Sequence, residues 1–454
     1  MLHAALLNAL SAEPTARAAA ESALTQADAA SLLAATEPAT GLPEPARLLA
    51  ATQLKNTAVR HWRRGAAQEH ERIKLREALA ARLARPEPSP RVGTQIALAV
   101  ARVMRSEANA GEATVLESFA AALRCAHLPG HALLALLHTA KELGSMRLPA
   151  QRRLAARVGH VMVALLGPLW EAAVRQGLAG VLSAAASSNS HGAAEEEALR
   201  LAVLHTKVLR HMLALQSKGG WANAATAATA ATAAAEGLSG SSVTPWQPAD
   251  ACALAIEAAR QLQAQPLSAV PVGWRNEWSR LGSAVGKLLI QLHTAQEGGA
   301  LIGGHGNGTN GNGGIADAAA RLRTVSRLDA AARTKPLLDA AAHLFVAEAE
   351  GRRALRRAAA GGSAALDELE ARERFGSSLP LHLASLLELG ASKLVEEAWL
   401  YGEKERFVSI VHAAVGLMGR TVRQLQQWSA DPESFACEVL LPPADELEEE
   451  EEEE

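Results

Sequence analysis

A succession of amphipathic stretches, cut by short proline and glycine breaks, constrains this 454-residue chain more than any other feature. Pro43 and Pro45, the Pro86-Glu87-Pro88-Ser89-Pro90 run, Pro129-Gly130, Pro149 and Pro168 punctuate its first part. Between these breaks apolar positions recur three and four residues apart, which lines them along one face of a helix. The spacing predicts helices over Arg47–Arg64, Gln68–Ala84, Val92–Met104, Glu112–Cys125, His131–Leu143 and Gln151–Leu166. The pattern returns over Asp250–Ala264, Trp278–Thr294, Ala316–Ala347, Leu379–Trp399 and Arg406–Trp428.

Composition excludes the main alternative. Apolar residues make up 49% of the chain, yet the aromatics are only Trp 8, Phe 5 and Tyr 1. The core must therefore be filled by Leu, Val and Ala. Alanine is the best intrinsic helix former, whereas strands favour the aromatic and β-branched residues. An all-β fold is ruled out. Cys125, Cys252 and Cys437 lie far apart with no C-x-x-C pair, so neither a disulfide framework nor a cysteine zinc site is expected. Such usage fits a reducing compartment. No apolar run has the length of a membrane span, and Met1–Leu10 lacks a basic start. Neither membrane insertion nor a signal peptide is expected.

Helix pairs with their turns recur at about 40–45 residues, the period of HEAT and armadillo arrays. A bundle of unrelated helices would show a similar spacing. The expected fold is all-α, a HEAT-repeat solenoid forming an armadillo-like superhelix. Ser183–Glu196, the Gly219–Ser242 segment with its Ala-Ala-Thr repetition, and Gly298–Gly314 bury too little apolar surface to offset chain entropy. They read as disordered linkers or loop insertions. Asp445–Glu454 holds nine acids and no base, which leaves +6 on the remainder of a chain whose net charge is −3. That charge is mild for so large a body. No Lys/Arg stripe interleaves with aromatics, so direct nucleic-acid binding is not expected. The organisation reads as repeats over 1–175, a helix with low-complexity insertions over 176–250, further helices over 251–436, and an acidic disordered tail over 437–454.

The search for catalytic chemistry turns up little. Gly282-Ser-Ala-Val-Gly286-Lys287 has three residues between its glycines where a phosphate loop needs four, and Leu288 follows the lysine. It reads as a glycine-containing helix start. His205 and His211 are too far round a helix to share a face, and His61, His70, His131 and His138 fall singly on helices. Glu195, Glu196 and Glu197 read as a solvated face. The expectation is a protein that is not an enzyme, with no catalytic residue, no metal site and no cofactor.

Several motifs nonetheless carry a likeness. Arg47-Leu-Leu-Ala-Ala-Thr-Gln-Leu-Lys55-Asn56, followed by His61-Trp62-Arg63-Arg64, resembles the signature of the importin-β family N-terminal domain. Upstream, Arg17, Ala20-Glu21 and Leu24 are similar to its first repeat; downstream, Thr94–Ala97 and Ala101–Val103 are similar to its third. His138–Leu143, Ser145–Leu148, Arg152–Leu154, Leu169-Trp170 and Leu204–Arg210 then follow in the order of the importin-eleven branch of these karyopherins. Leu425–Phe435 resembles a segment found later in that branch. The Trp-Pro pair of the third repeat has no counterpart in Ser106–Thr114. Members of the family are much longer, so the resemblance implies that this chain corresponds to an N-terminal portion.

That resemblance implies a nuclear transport receptor. Its partners would be the GTPase Ran in its GTP form, phenylalanine-glycine repeats of pore proteins, and protein cargo, with basic cargo a candidate. It would shuttle between nucleus and cytoplasm through the nuclear pore, with import as the expected direction. Residues 1–175 would hold the Ran-binding repeats, with Arg47–Arg64 the outer and Gln68–Ala84 the inner helix of the second. Helix phase puts Leu75, Ala78, Leu79 and Leu83 on one stripe and His70, Lys74 and Glu77 opposite. With Glu112 and Glu117 of the next inner helix, these are the candidate Ran-facing residues. Arg47, Lys55, Asn56 and Trp62 match the motif directly and are expected to pack and cap the helix pair. A HEAT scaffold with no transport role is the alternative that the residues leave open.

Overall fold

The computed structural model describes residues 1–63, 69–110, 130–186, 192–218, 246, 248–301, 336–352, 354–359 and 362–401. Among them the regular structure is helical, with no strand. The chain divides into two compact units, one holding Met1–Val181, Gly192–Ala255 and Gln291–Ala330, the other Leu182–His191, Ile256–Ile290 and Ala331–Glu454.

The first unit opens with three short helices, α1 (Leu2–Ala9), α2 (Pro14–Gln26) and α3 (Ala29–Ala35). Asp28 caps α3 by accepting the Ser31 N–H at 2.8 Å, and that bond, first among its causes, holds the Asp28 carboxyl below its ordinary range. Then come α4 (Glu44–Arg63), α5 (Glu69–Leu83), α6 (Pro90–Ala110), α7 (Gly130–Gly144), α8 (Pro149–Ala186) and α9 (Ala193–Lys218). Helix α4 packs on α6, α6 on α7, and α7 on α9, so a row of helices forms from elements that are not all consecutive in the chain. Small residues let them approach: Ala46 and Ala50 of α4 close over Leu6, Leu24 and Ala35. Ile96, Ala97, Val100 and Val103 fill the middle of the row from α6, with Leu133, Leu136 and Ala140 beyond them.

Among the described residues Trp170 is the largest fully buried side chain, and its Nε1–H donates to Thr206 Oγ1 at 3.0 Å. The aromatic body joins the core while its one polar atom is satisfied across α8 and α9.

Several sequence expectations change. Pro168 does not end a helix; it lies inside α8, which runs for 38 residues. Interior proline costs about 3 kcal/mol. Here the ring is exposed, while Val163, Leu166, Trp170 and Val174 are buried on both sides of it and hold the two halves in one line. Ser183–Ala186 and Ala193–Glu196, expected as linker, are helical ends of α8 and α9. Gly298 and Gly299, expected in a loop, lie in the last turn of a helix, where neighbouring alanines and Leu301 continue it. The expected helices over 112–125 and 406–428, the Ala/Thr tract, and the acidic tail lie outside the described residues.

The second unit holds the C-terminal part of α10 (Pro248–Ala264), two single 3₁₀ turns, the greater part of α11 (Arg275–Leu301), the helical stretch 336–352, α12 (Ser363–Phe375) and the helix α13 (Leu379–Tyr401). Its core is built from Trp274, Trp278, Leu281, Leu288, Leu338, Phe345, Leu383 and Leu386. Helix α12 was not expected from the sequence, because its apolar positions are sparse among acids and arginines. A buried carboxylate fixes it instead. Glu368 accepts the N–H groups of Leu267 and Ser268 at 2.9 and 2.6 Å and the Arg372 Nε–H at 2.6 Å. Burial alone would raise its pKa, but the bonds from Arg372 and the Leu267–Ser268 backbone hold it below the ordinary glutamate value.

Three histidines of the first unit, His131 and His205 buried and His160 half-buried, give it an acid-side weakness. Burial depresses His131, His160 and His205, the last to about 4 from an ordinary 6.5. The unfolded chain therefore takes up a proton on His205 first as the pH falls. Stability present above pH 6.5 should be lost progressively down to about pH 4, of order 3 kcal/mol from His205 alone. Urea unfolding at stepped pH tests this, with a smaller loss expected in His205→Leu.

Candidate interaction face on helix α5

Helix α5 is amphipathic in a literal sense. Leu75, Leu79 and Leu83 are buried, whereas His70, Lys74 and Glu77 are exposed on the opposite side together with Ile73. At 100° per residue, His70, Lys74 and Glu77 stay within about 40° of one line. Ala78, expected with the apolar stripe, is half-buried at its margin.

Two buried ion pairs set the position of that face. Arg76 of α5 meets Glu107 of α6 at 3.3 Å, with both side chains nearly closed to solvent. Six residues further on, Arg82 is fully buried and its Nη2 pairs with Glu87. Glu87 sits in the proline-rich connection between α5 and α6, and its other oxygen pairs with Nη2 of Arg47 on α4. It also accepts the Ser89 N–H at 2.9 Å. Arg47 in turn donates from Nε to the Thr36 carbonyl at 3.1 Å, filling the acceptor left open at the C-terminal end of α3. Arg82 Nε lies 3.6 Å from Glu37 Oε1, near enough for charge attraction and too far for a hydrogen bond. Arg85 reaches the same oxygen at 3.0 Å from the surface.

The start of α6 is tied into the same cluster. Ser89 Oγ donates to Glu44 Oε1 at 2.7 Å and accepts the Val92 N–H at 3.3 Å, while Pro90 supplies the first helical residue without an amide to satisfy. His131 of α7 backs onto the cluster, where burial first, and the Arg82 charge after it, disfavour its protonation.

The motif residues divide. Arg47 is the centre of a buried network. Lys55 is half-buried, and Asn56 is exposed on α4 with its carbonyl receiving Arg60 Nε at 3.4 Å. Trp62 lies in α4, with its side chain outside the described residues, as do Glu112 and Glu117 altogether. The structure thus brings together His70, Lys74 and Glu77 from the candidate set. Sequence reading missed Glu37, Glu87, Arg82, Arg76 and Glu107; the one available signal was an acid and a serine enclosed by prolines, Pro86-Glu87-Pro88-Ser89-Pro90.

In the second unit, the glycines of the phosphate-loop-like motif lie in mid-helix, not at a helix start. A Cβ at Gly282 would stand 2.8 Å from Ser377, and one at Gly286 2.7 Å from His382. Their function is to let α11 and the start of α13 touch. Ser378 Oγ, 2.8 Å from Ser283 Oγ and 3.0 Å from His382 Nε2, fastens the same junction. Nearby, a small cleft of ≈ 50 Å³ is lined by Gln263, Trp278, Glu348, Arg352, Arg372 and Phe375. Its charges answer one another: Glu348 pairs with Arg352 at 2.6 Å and with Arg372 at 3.5 Å. Among the described residues no three potential metal ligands cluster, and no helix is long and apolar enough to cross a membrane.

Comparison with family models, with curated proteins and with solved structures yields no match for the chain.

Glu87→Ala should leave Arg47 and Arg82 buried without their shared counter-charge and cost about 3–5 kcal/mol in urea unfolding. The exposed-face control Glu77→Ala should change stability by no more than about 0.5 kcal/mol.

Proposed function

We propose that this chain is a transport receptor of the karyopherin type whose helices form a HEAT-repeat solenoid, and that it is not an enzyme. On this reading the α5 face carrying His70, Lys74 and Glu77 contacts Ran in its GTP form. Protein cargo and phenylalanine-glycine repeats engage other faces, and the protein shuttles between cytoplasm and nucleus as an importer.

The observation that carries the reading is the row α4, α6, α7 and α9, with α5, packed on α3 and tied to α6 through Arg76 and Glu107, presenting an exposed charged stripe. Starts of α4, α6 and α7 at residues 44, 90 and 130 are 46 and 40 residues apart, close to the period of helix-pair repeats, and the long α8 sets the wider step to α9 at residue 193. Each unit of such an array buries its face only against neighbours and leaves long surfaces for macromolecular partners. The ordered motif series from Arg47 to Arg210 gives the array its proposed family. Release of cargo by the GTPase would be negative coupling between two sites on one elastic body.

Binding of the purified chain to Ran loaded with GTP, and then with GDP, tests the reading. A clear preference for the GTP form is expected. Glu77→Arg should weaken it at least tenfold, with far-UV circular dichroism unchanged. Equal or absent binding by a cooperatively melting chain would remove the transport reading and leave a helical scaffold.

A further inference from the structure

Trp246 stands apart from the helices. It follows the Ala/Thr-rich tract and is placed against the middle of α8, two residues before Pro248 opens α10. Its indole Nε1–H donates to Glu171 Oε1 at 2.7 Å. Its ring meets Trp170 edge-on, with centroids 6.4 Å apart and planes at 75°. The ring also lies over Gly167 so closely that a Cβ there would come within 2.1 Å of it.

The walls that receive this indole belong to the core. Trp170 is fully buried and held by Thr206, whose own Oγ donates to the Ala202 carbonyl at 2.7 Å. Gly167 supplies a flat floor because it lacks a side chain, and Pro168 turns its ring to the exposed side. Glu171 is partly exposed, and its second oxygen is 3.7 Å from Arg175. One wall is therefore aromatic, one is bare backbone, and the rim carries a single acceptor for an N–H.

We propose that Gly167, Trp170 and Glu171 form an indole-binding socket on α8, filled from within the chain by Trp246, that accepts the tryptophan side chain of a partner segment when Trp246 withdraws. The floor selects a flat ring, the Trp170 edge favours an aromatic face, and Glu171 requires a donor on the ring, so Trp is preferred over Phe. The socket keeps its shape without its occupant because Trp170 and Gly167 are fixed by α8 and α9. An internal occupant raises the concentration of competing indole at the site, so a partner binds only at a cost set by Trp246.

The test uses the full chain with N-acetyl-tryptophanamide as probe. Wild type should show no saturable binding, whereas Trp246→Ala should bind the probe and gain in melting temperature with it. Trp246→Ala with Glu171→Gln should bind about tenfold more weakly, the loss of one charge-assisted hydrogen bond. A folded Trp246→Ala chain that neither binds the probe nor is stabilised by it would overturn the proposal. Gly167→Ala provides a second reading should Trp246→Ala not fold. Alanine is the better helix former, so without a socket this variant melts at the wild-type temperature or above. With the socket, the new methyl expels the indole and the melting temperature falls.

Discussion

Glu87 is the interaction on which the first unit depends. It is one carboxylate shared by two buried arginines from different helices, α4 and α5, and it comes from the connection that leads from α5 to α6. Isolated arginine at such depth would be prohibitive, and a single pair would leave most guanidinium donors unmatched. The shared acid solves this for Arg47, which also fills the open carbonyl of Thr36, while Ser89 donates its amide to the same carboxylate; Arg82 is matched by charge through Nη2, with its Nε and Nη1 making no hydrogen bond. Four pieces of chain, α3, α4, α5 and the start of α6, are thereby fixed in one place. Leucine and alanine could supply as much burial, but they would not specify which turn of α5 meets which turn of α4.

The second unit repeats the device with different parts. Glu368 gathers two backbone amides and a guanidinium, and so fastens α12, poor in apolar residues, to the turn at Leu267. Both cases answer the same difficulty. Helices rich in alanine pack closely but present nearly featureless faces, so slippage by a turn changes little apolar contact. A buried carboxylate with several directional partners makes the wrong register expensive.

How much of this could be read from the sequence follows from the type of force involved. Periodic burial was legible: Leu75, Leu79 and Leu83 recur at helical spacing, and so do the apolar residues of α6 and α7. Helix ends were less so, and Pro168 was misread because the cost of an interior proline is local while the burial that offsets it comes from other helices. Glu87 was passed over as part of a break, since its value lies in two arginines 40 and five residues away. The glycines at 282 and 286 read as a helix start, yet they lie in mid-helix, and what demands glycine there is the approach of Ser377 and His382, far off in sequence. For the interaction face, the phase of α5 put His70, Lys74 and Glu77 together; the residues that hold the face still, Arg76 and Arg82, gave no periodic sign.

That division bears on what an exposed stripe can do. Surface charges alone gain little from a partner, because each long side chain must be ordered and solvent screens the pair. A stripe becomes selective when its backbone is already fixed, so that ordering the side chains is the only remaining cost. On α5, Arg76 and Arg82 lie on the buried side of the same two turns that present Lys74 and Glu77. The buried pairs therefore determine the angle at which the exposed charges meet another surface. An insertion of one residue between Glu77 and Leu79 would rotate Arg82 by about 100° against His70, Lys74 and Glu77, and the helix could satisfy the Arg82 pair or keep its outward face in place but not both.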